Sequence, residues 1–232
     1  GVFWDEHGRF DGVVAGYDNG KFGAEFGYGR FQDAERSMDH YHWENSASIE
    51  SWYGKLTGHF GESSAVSAFY LKNVQGLDGN SVDPDIKGAH VHAWGAGATI
   101  DLGDSGLNID GDFIQTRGNR DLGHANLWTA GLNYGKVDLN KPGSFTLGVH
   151  YVRADAGAYL LGNSALDMTD QLEYGWDNGT GVKFWVAKAG VAVQKNVELD
   201  AYYNFGAKAF DRYDDSTKDP ANTWGVELNY AF

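Results

Sequence analysis

Apolar and polar residues alternate with a period of two through most of the chain, and the alternation is strictest at its C-terminal end. There Trp224, Val226, Leu228, Tyr230 and Phe232 alternate with Gly225, Glu227, Asn229 and Ala231, so an extended segment places five apolar side chains on one face. The same template fits Lys21 to Arg30, where Phe22, Ala24, Phe26 and Tyr28 oppose Lys21, Gly23, Glu25 and Gly27. It fits Val197 to Phe205, where Val197, Leu199, Ala201, Tyr203 and Phe205 oppose Glu198, Asp200, Tyr202 and Asn204. Trp52 to Phe60, Ala65 to Leu71, Trp94 to Ile100, Leu107 to Phe113, Trp128 to Tyr134, Phe145 to Tyr151 and Trp185 to Val193 repeat it, and Phe10 to Tyr17 does so less regularly. The pattern predicts 11 strands.

Their connections alternate in length. Short turns fall at Asp18-Asn19-Gly20, Gly61-Glu62-Ser63, Gly103-Asp104-Ser105, Asn140-Lys141-Pro142-Gly143 and Gln194-Lys195-Asn196, with the residues that tight hairpins require. Between them lie Phe31 to Ala47, Lys72 to Gly88, Arg117 to His124, Arg153 to Thr180 and Gly206 to Ala221, all long and polar. Pro84, Pro142 and Pro220 all sit in connections, as an uninterrupted ladder demands. The order is that of an antiparallel meander with short turns at one end and long loops at the other.

Composition agrees with many short strands. The 232 residues include 33 Gly, 13 Tyr, 13 Phe and 8 Trp but only 3 Pro and no Cys, which disfavours a helical bundle and excludes disulfides and thiolate metal sites. A net charge of −14 argues against a nucleic-acid partner, because phosphate binding needs a basic stripe. No apolar run is long enough for a transmembrane helix. A mean hydropathy of −0.46 suits a soluble protein, yet a membrane barrel averages to the same, since its strands alternate lipid-facing and lumen-facing residues.

Two closed architectures fit a meander, a soluble ligand-binding barrel and an outer-membrane barrel. The strand number, the aromatic residues recurring at strand ends and the asymmetry of the loops favour the membrane. The expected fold is therefore all-β, an antiparallel transmembrane β-barrel spanning 1–232, with 11 or 12 strands in this sequence. Strand parity calls for a rising strand before Phe10, of which Gly1 to Asp5 is only the top. The chain thus reads either as a 12-stranded barrel with a stunted first strand or, the favoured reading, as the C-terminal part of a larger porin of about 16 strands whose first strands lie outside the sequence.

The terminal segment Trp224 to Phe232, with its final aromatic, resembles the C-terminal strand of bacterial outer-membrane proteins, and the resemblance implies that Trp224, Val226, Leu228, Tyr230 and Phe232 are read by the barrel-assembly machinery. The segments Gly1-Val2-Phe3-Trp4-Asp5, Phe10-Asp11-Gly12-Val13, Gly27-Tyr28-Gly29-Arg30, Val182-Lys183-Phe184 and Lys195-Asn196-Val197-Glu198-Leu199 are similar to parts of the barrels of the S-layer-homology-domain porins of diderm Firmicutes. That resemblance implies a bacterial outer-membrane location, contact with outer-membrane lipid and lipopolysaccharide, and a homotrimer. A link to the cell wall would run only through an N-terminal tether domain that this sequence lacks.

Catalytic and metal chemistry is thinly represented. No Gly-x-Ser-x-Gly is present, and His7, His40, His42 and His124 fall in loops, which leaves an acyl hydrolase without its constellation. Asp211 with Asp214-Asp215 offers acids for a protease-like pair, but reads more simply as a solvated loop. His40-x-His42 and His90-x-His92 have chelating spacing without a second ligand cluster, and Asp83-Pro84-Asp85 lacks the spacing of a calcium loop. No cofactor, metal or catalytic residue is expected.

With the aromatic face toward lipid, Lys21, Glu25, Lys55, Asp110, Asp112, His150, Lys188, Glu198, Asp200, Asn204, Glu227 and Asn229 point into the lumen. Six acids stand against three lysines there, and the five long loops carry 17 acidic and 9 basic residues. Charges on the lipid face would cost ~2–4 kcal/mol each near midplane, so their segregation to the other face implies a wet interior. The expected function is a diffusion porin for small hydrophilic solutes, modestly cation-selective because mouth and lumen are both negative. A structural envelope protein closed to solutes is the alternative, and a barrel enzyme a third. Tyr159, Leu160, Leu161, Leu166 and Met168 in Arg153 to Thr180 are too apolar for a solvated loop, so that segment is expected to fold inward or to pack on a neighbouring subunit.

Overall fold

The computed structural model describes residues 9–32, 49–61, 63–75, 92–117, 123–158, 168–211 and 216–231. It contains one antiparallel sheet of 11 strands in sequence order. The strands are β1 (Arg9–Asp18), β2 (Phe22–Gln32), β3 (Ile49–Phe60), β4 (Ser64–Gln75), β5 (His92–Asp101), β6 (Leu107–Arg117), β7 (His124–Gly135), β8 (Phe145–Ala154), β9 (Gly181–Gln194), β10 (Val197–Phe210) and β11 (Thr223–Tyr230). Every predicted strand is present. Each pairs only with its neighbours in sequence, and β1 and β11 are not bonded to each other among the described residues, so the sheet is not closed. No described helix is long and apolar enough to cross a membrane.

The sheet is strongly inclined and curled. Cross-strand partners run from Asp18, at the turn end of β1, through Gly23, Thr57, Ser67, Gly97, Asp112 and Thr129 to Val152, seven positions inside β8 from Phe145. That is a stagger of about one residue per strand, or ~3.3 Å along for each ~4.8 Å across, an inclination of about 35°. Lys55 of β3 and Lys188 of β9 line the same cavity, although six strand spacings, about 29 Å in a flat sheet, separate them. Only a curled sheet brings them together.

The two faces differ as the alternation requires. The convex face carries exposed Val13, Phe26, Leu56, Trp94, Leu132, Leu147, Trp185, Trp224 and Leu228, with Val13 74% and Trp224 72% accessible. At its long-loop end the aromatics form a row. Tyr28 is the partner of Trp52, Trp52 lies 5.3 Å from Tyr70, Tyr70 pairs with Trp94, and Trp94 lies 5.4 Å from Phe113. Phe113 pairs with Trp128, which sits 5.1 Å from Tyr151, itself 5.0 Å from Trp185. Trp185 pairs with Phe205, and Tyr203 with Trp224, so the row spans β2 to β11.

The concave face is divided. Toward the long loops it is apolar, with Tyr53, Leu71, Ala93, Ile114, Leu127, Val152, Phe184 and Val186 buried in one cluster. Toward the short turns it is polar. The cluster is completed by Met168 and Leu172, which belong to the segment between β8 and β9. That segment was expected to be a loop, but it contains a helix, α1 (Thr169–Asp177), laid on the concave face. Folding inward is thus the alternative found, and Met168 and Leu172, 4% and 1% accessible, carry it. Tyr159, Leu160, Leu161 and Leu166 lie outside the described residues.

Candidate functional site: a charged cavity on the concave face

Five predicted lumen residues, Lys55, Asp110, Asp112, His150 and Lys188, converge on a cavity of about 380 Å³ roofed by Met168. Thr57, Ser67, Thr99 and Thr129 supply its hydroxyls. Alternate positions of seven successive strands, β3 to β9, provide these side chains, which is why a period-two reading finds them.

The cavity's charges are wired across strands. The His150 Nε2–H donates to Asp110 Oδ2 at 3.1 Å, passing over Gly131 of the intervening strand, where a Cβ would overlap the imidazole. Asn133 donates to the same carboxylate and to Asn108 Oδ1 at 2.9 Å, and the Thr129 hydroxyl accepts the Asp112 N–H at 3.1 Å. His150 is buried and its Nδ1 has no partner among the described residues. A histidine base would use that nitrogen to meet a nucleophile while its carboxylate holds the other, and no hydroxyl meets it here. Around the pair, two carboxylates are matched by two lysines.

A second polar group lies where β9, β10 and β11 meet. Asp200 is the partner of Glu227, and Glu198 of Asn229, and Asn229 Nδ2 donates to Asp200 Oδ2 at 2.9 Å. The carboxylates of Asp200 and Glu198 both lie over Gly190. Three acids therefore gather on one patch of the concave face.

The remaining predicted positions are dispersed. Glu25 is exposed and accepts the Tyr53 hydroxyl at 2.7 Å, and Lys21 is exposed at the β1–β2 turn. Asn204 departs from the expected lining role. It is fully buried, donating to Gln171 Oε1 of α1 at 2.9 Å and to Thr223 Oγ1 at 3.1 Å, so the helix seals it from any channel. Val197, assigned to the apolar outer set, is buried beside a register shift at Glu198. Sequence reasoning passed over Tyr53, Thr129 and Asn133, whose roles depend on a glycine or an acid on another strand, and Gln171, whose role depends on Asn204 and Thr223. Trp224, Val226, Leu228 and Tyr230 stand exposed along β11; Phe232, Gly1 to Asp5, His40, His42, His90, Asp83 to Asp85 and Asp214-Asp215 lie outside the described residues.

Among the described residues, no three His, Asp or Glu side chains converge as a metal site requires. No known family model matches the chain, and no curated protein matches it.

Proposed function

We propose that this chain forms a bacterial outer-membrane β-barrel through which small hydrophilic solutes and ions diffuse, with a modest preference for cations. The observation that carries the reading is the continuous aromatic row on an exposed apolar convex face, opposite a concave face that holds the charges. Water gives no reason to expose so many large apolar side chains in register, whereas lipid does. Strands of 8 to 14 residues bracket the 9–11 that an inclined membrane strand needs, and an inclination near 35° is that of membrane barrels. A membrane also forbids unpaired edges. Because β1 and β11 run in the same direction, antiparallel closure takes an odd number of further strands between them, as in the larger barrel of about 16 strands.

Cation preference follows from Glu198, Asp200 and Glu227 gathered on one patch, since the cavity beside them is balanced. The terminal strand as assembly signal, the trimer and contact with lipopolysaccharide belong to the same reading. A second reading, a structural envelope protein closed to solutes, draws on the apolar cluster that Met168 and Leu172 complete at the long-loop end. Planar-bilayer conductance separates the two. Discrete channels with a cation-selective reversal potential in a KCl gradient are expected; insertion without conductance would favour the structural reading, and failure to insert would refute both.

A further inference from the structure

We propose that Arg153, Lys183 and Lys208 form a site on the convex face for the phosphate of an anionic lipid headgroup. The inference rests on the membrane reading above and specifies a partner for one patch of it. Arg153 of β8 is the cross-strand partner of Lys183 of β9, and Lys183 is the partner of Lys208 of β10. Three cations therefore stand side by side across three strands, spaced by ~4.5–5.5 Å between neighbouring Cβ atoms. They lie on the loop side of the aromatic row, two residues beyond Tyr151 and Trp185. In a membrane this is the level of the headgroups.

The arrangement requires a departure from regular pairing. From Glu198 to Phe205 the β9–β10 register is uninterrupted, and a shift between Phe205 and Lys208 follows, with Gly206 at φ +63°. Without the extra residue Ala207 would oppose Lys183, and Lys208 would point to the concave side. The bulge turns Lys208 outward and beside a like charge, although like charges directly opposite destabilise a sheet. Arg153 is held as well: the Phe210 ring lies across Gly181, and the Arg153 guanidinium sits 4.2 Å over that ring.

Two of the described carboxylates beside these residues have other partners. Asp155 lies 3.8 Å from Arg153 but also accepts the Asn126 N–H and side-chain amide, and Asp219 accepts the Ala209 N–H. Among the described residues, neither Lys183 nor Lys208 has an ion-pair partner. A phosphate oxygen cluster complements one guanidinium and two ammonium groups carried side by side on adjacent strands, and the lipid surface presents such phosphates at this height.

The test uses the full chain refolded into phosphatidylcholine vesicles containing a trace of acyl-labelled phosphatidic acid or, separately, of phosphatidylcholine with the same label. Energy transfer from tryptophan, to which Trp185 beside the site contributes, reports which lipid is enriched at the barrel. Phosphatidic acid is expected to be enriched about five-fold or more, since one basic residue near an anionic headgroup contributes roughly that factor. The enrichment should be lost in Lys183→Gln/Lys208→Gln and in Lys183→Glu/Lys208→Glu. Protease protection in the unlabelled vesicles reads insertion independently: a protein that fails to insert overturns the barrel reading and this site with it. An inserted protein with equal transfer from both lipids, or enrichment unchanged in both variants, overturns the site alone. Enrichment abolished by millimolar inorganic phosphate overturns the lipid as its ligand.

Discussion

His150 of β8 reaches over Gly131 of β7 to meet Asp110 of β6 at 3.1 Å, so a missing side chain on the middle strand is what lets the outer two communicate. Gly131→Val should displace the imidazole and break the pair, destabilising the protein by ~1–3 kcal/mol through overpacking. Urea unfolding in detergent micelles measures this, and a variant as stable as the parent would contradict the packing described.

Tyr53 uses the same device. Its ring lies over Gly27 while its hydroxyl donates to Glu25. Tyr53→Phe keeps the ring in its seat and should cost about 1 kcal/mol for the lost hydrogen bond. Tyr53→Ala empties a buried site and should cost ~3–5 kcal/mol. Equal losses in the two variants would mean that the hydroxyl, not the ring, holds β2 and β3 together.

The convex face discriminates lipid from water. Leu132 is 45% accessible and lies between the aromatic row and the short turns. Leu132→Arg should cost ~2–4 kcal/mol if that position contacts hydrocarbon, but well under 1 kcal/mol if it contacts water. Folding titrations of parent and variant in vesicles give the difference, and a neutral substitution would argue against the membrane reading.

Conductance should depend on how firmly α1 is seated. Leu172 is buried in the apolar cluster and Gln171 bonds Asn204, Thr223 and the Ala221 carbonyl. Leu172→Ala removes ~2–5 kcal/mol of packing at that seat. Single channels of the variant should be larger and noisier than those of the parent, whereas unchanged currents would place the helix away from the conducting path.

Selectivity should follow the acid patch more than the cavity. Glu198→Gln/Asp200→Asn/Glu227→Gln removes three negative charges without an adjacent pair of lysines to rebalance, and should shift the reversal potential toward zero in a low-salt KCl gradient. Raising the salt should shrink the difference between parent and variant, because the Debye length falls from ~10 Å at 0.1 M to ~3 Å at 1 M. A preference that persists in the triple variant would assign selectivity to other residues.

The strands were legible in the sequence because a half-buried sheet writes its period into every second residue, and Trp224 to Tyr230 shows the pattern without a break. The helix was not. Among the described side chains, Gln171, Leu172 and Gly175 are buried, as is Met168 just before the helix, a spacing of three and four that marks one helical face, but a glutamine and a glycine stand where apolar residues would have announced it. What makes Gln171 an inward residue is Asn204, 33 positions later, and local pattern cannot supply that partner. The same holds for Lys208, whose side is set by a bulge and not by its parity with Trp185. Charge alternation grouped Lys55, Asp110, Asp112, His150 and Lys188, which line one cavity, with Asn204, because burial by a distant helix leaves no trace in strand periodicity.

The stagger of one residue per strand has a consequence for how such a protein can change size. Because every strand is displaced from its neighbour by the same small step and pairs only with the strands adjacent in sequence, a hairpin is a repeating module with a fixed pitch. Inserting one widens the structure by two strand spacings and leaves its inclination, its height and the alternation of inward and outward residues as they were. The width of the sheet is therefore free to evolve by duplicating hairpins, while its height stays locked to the length of a single strand.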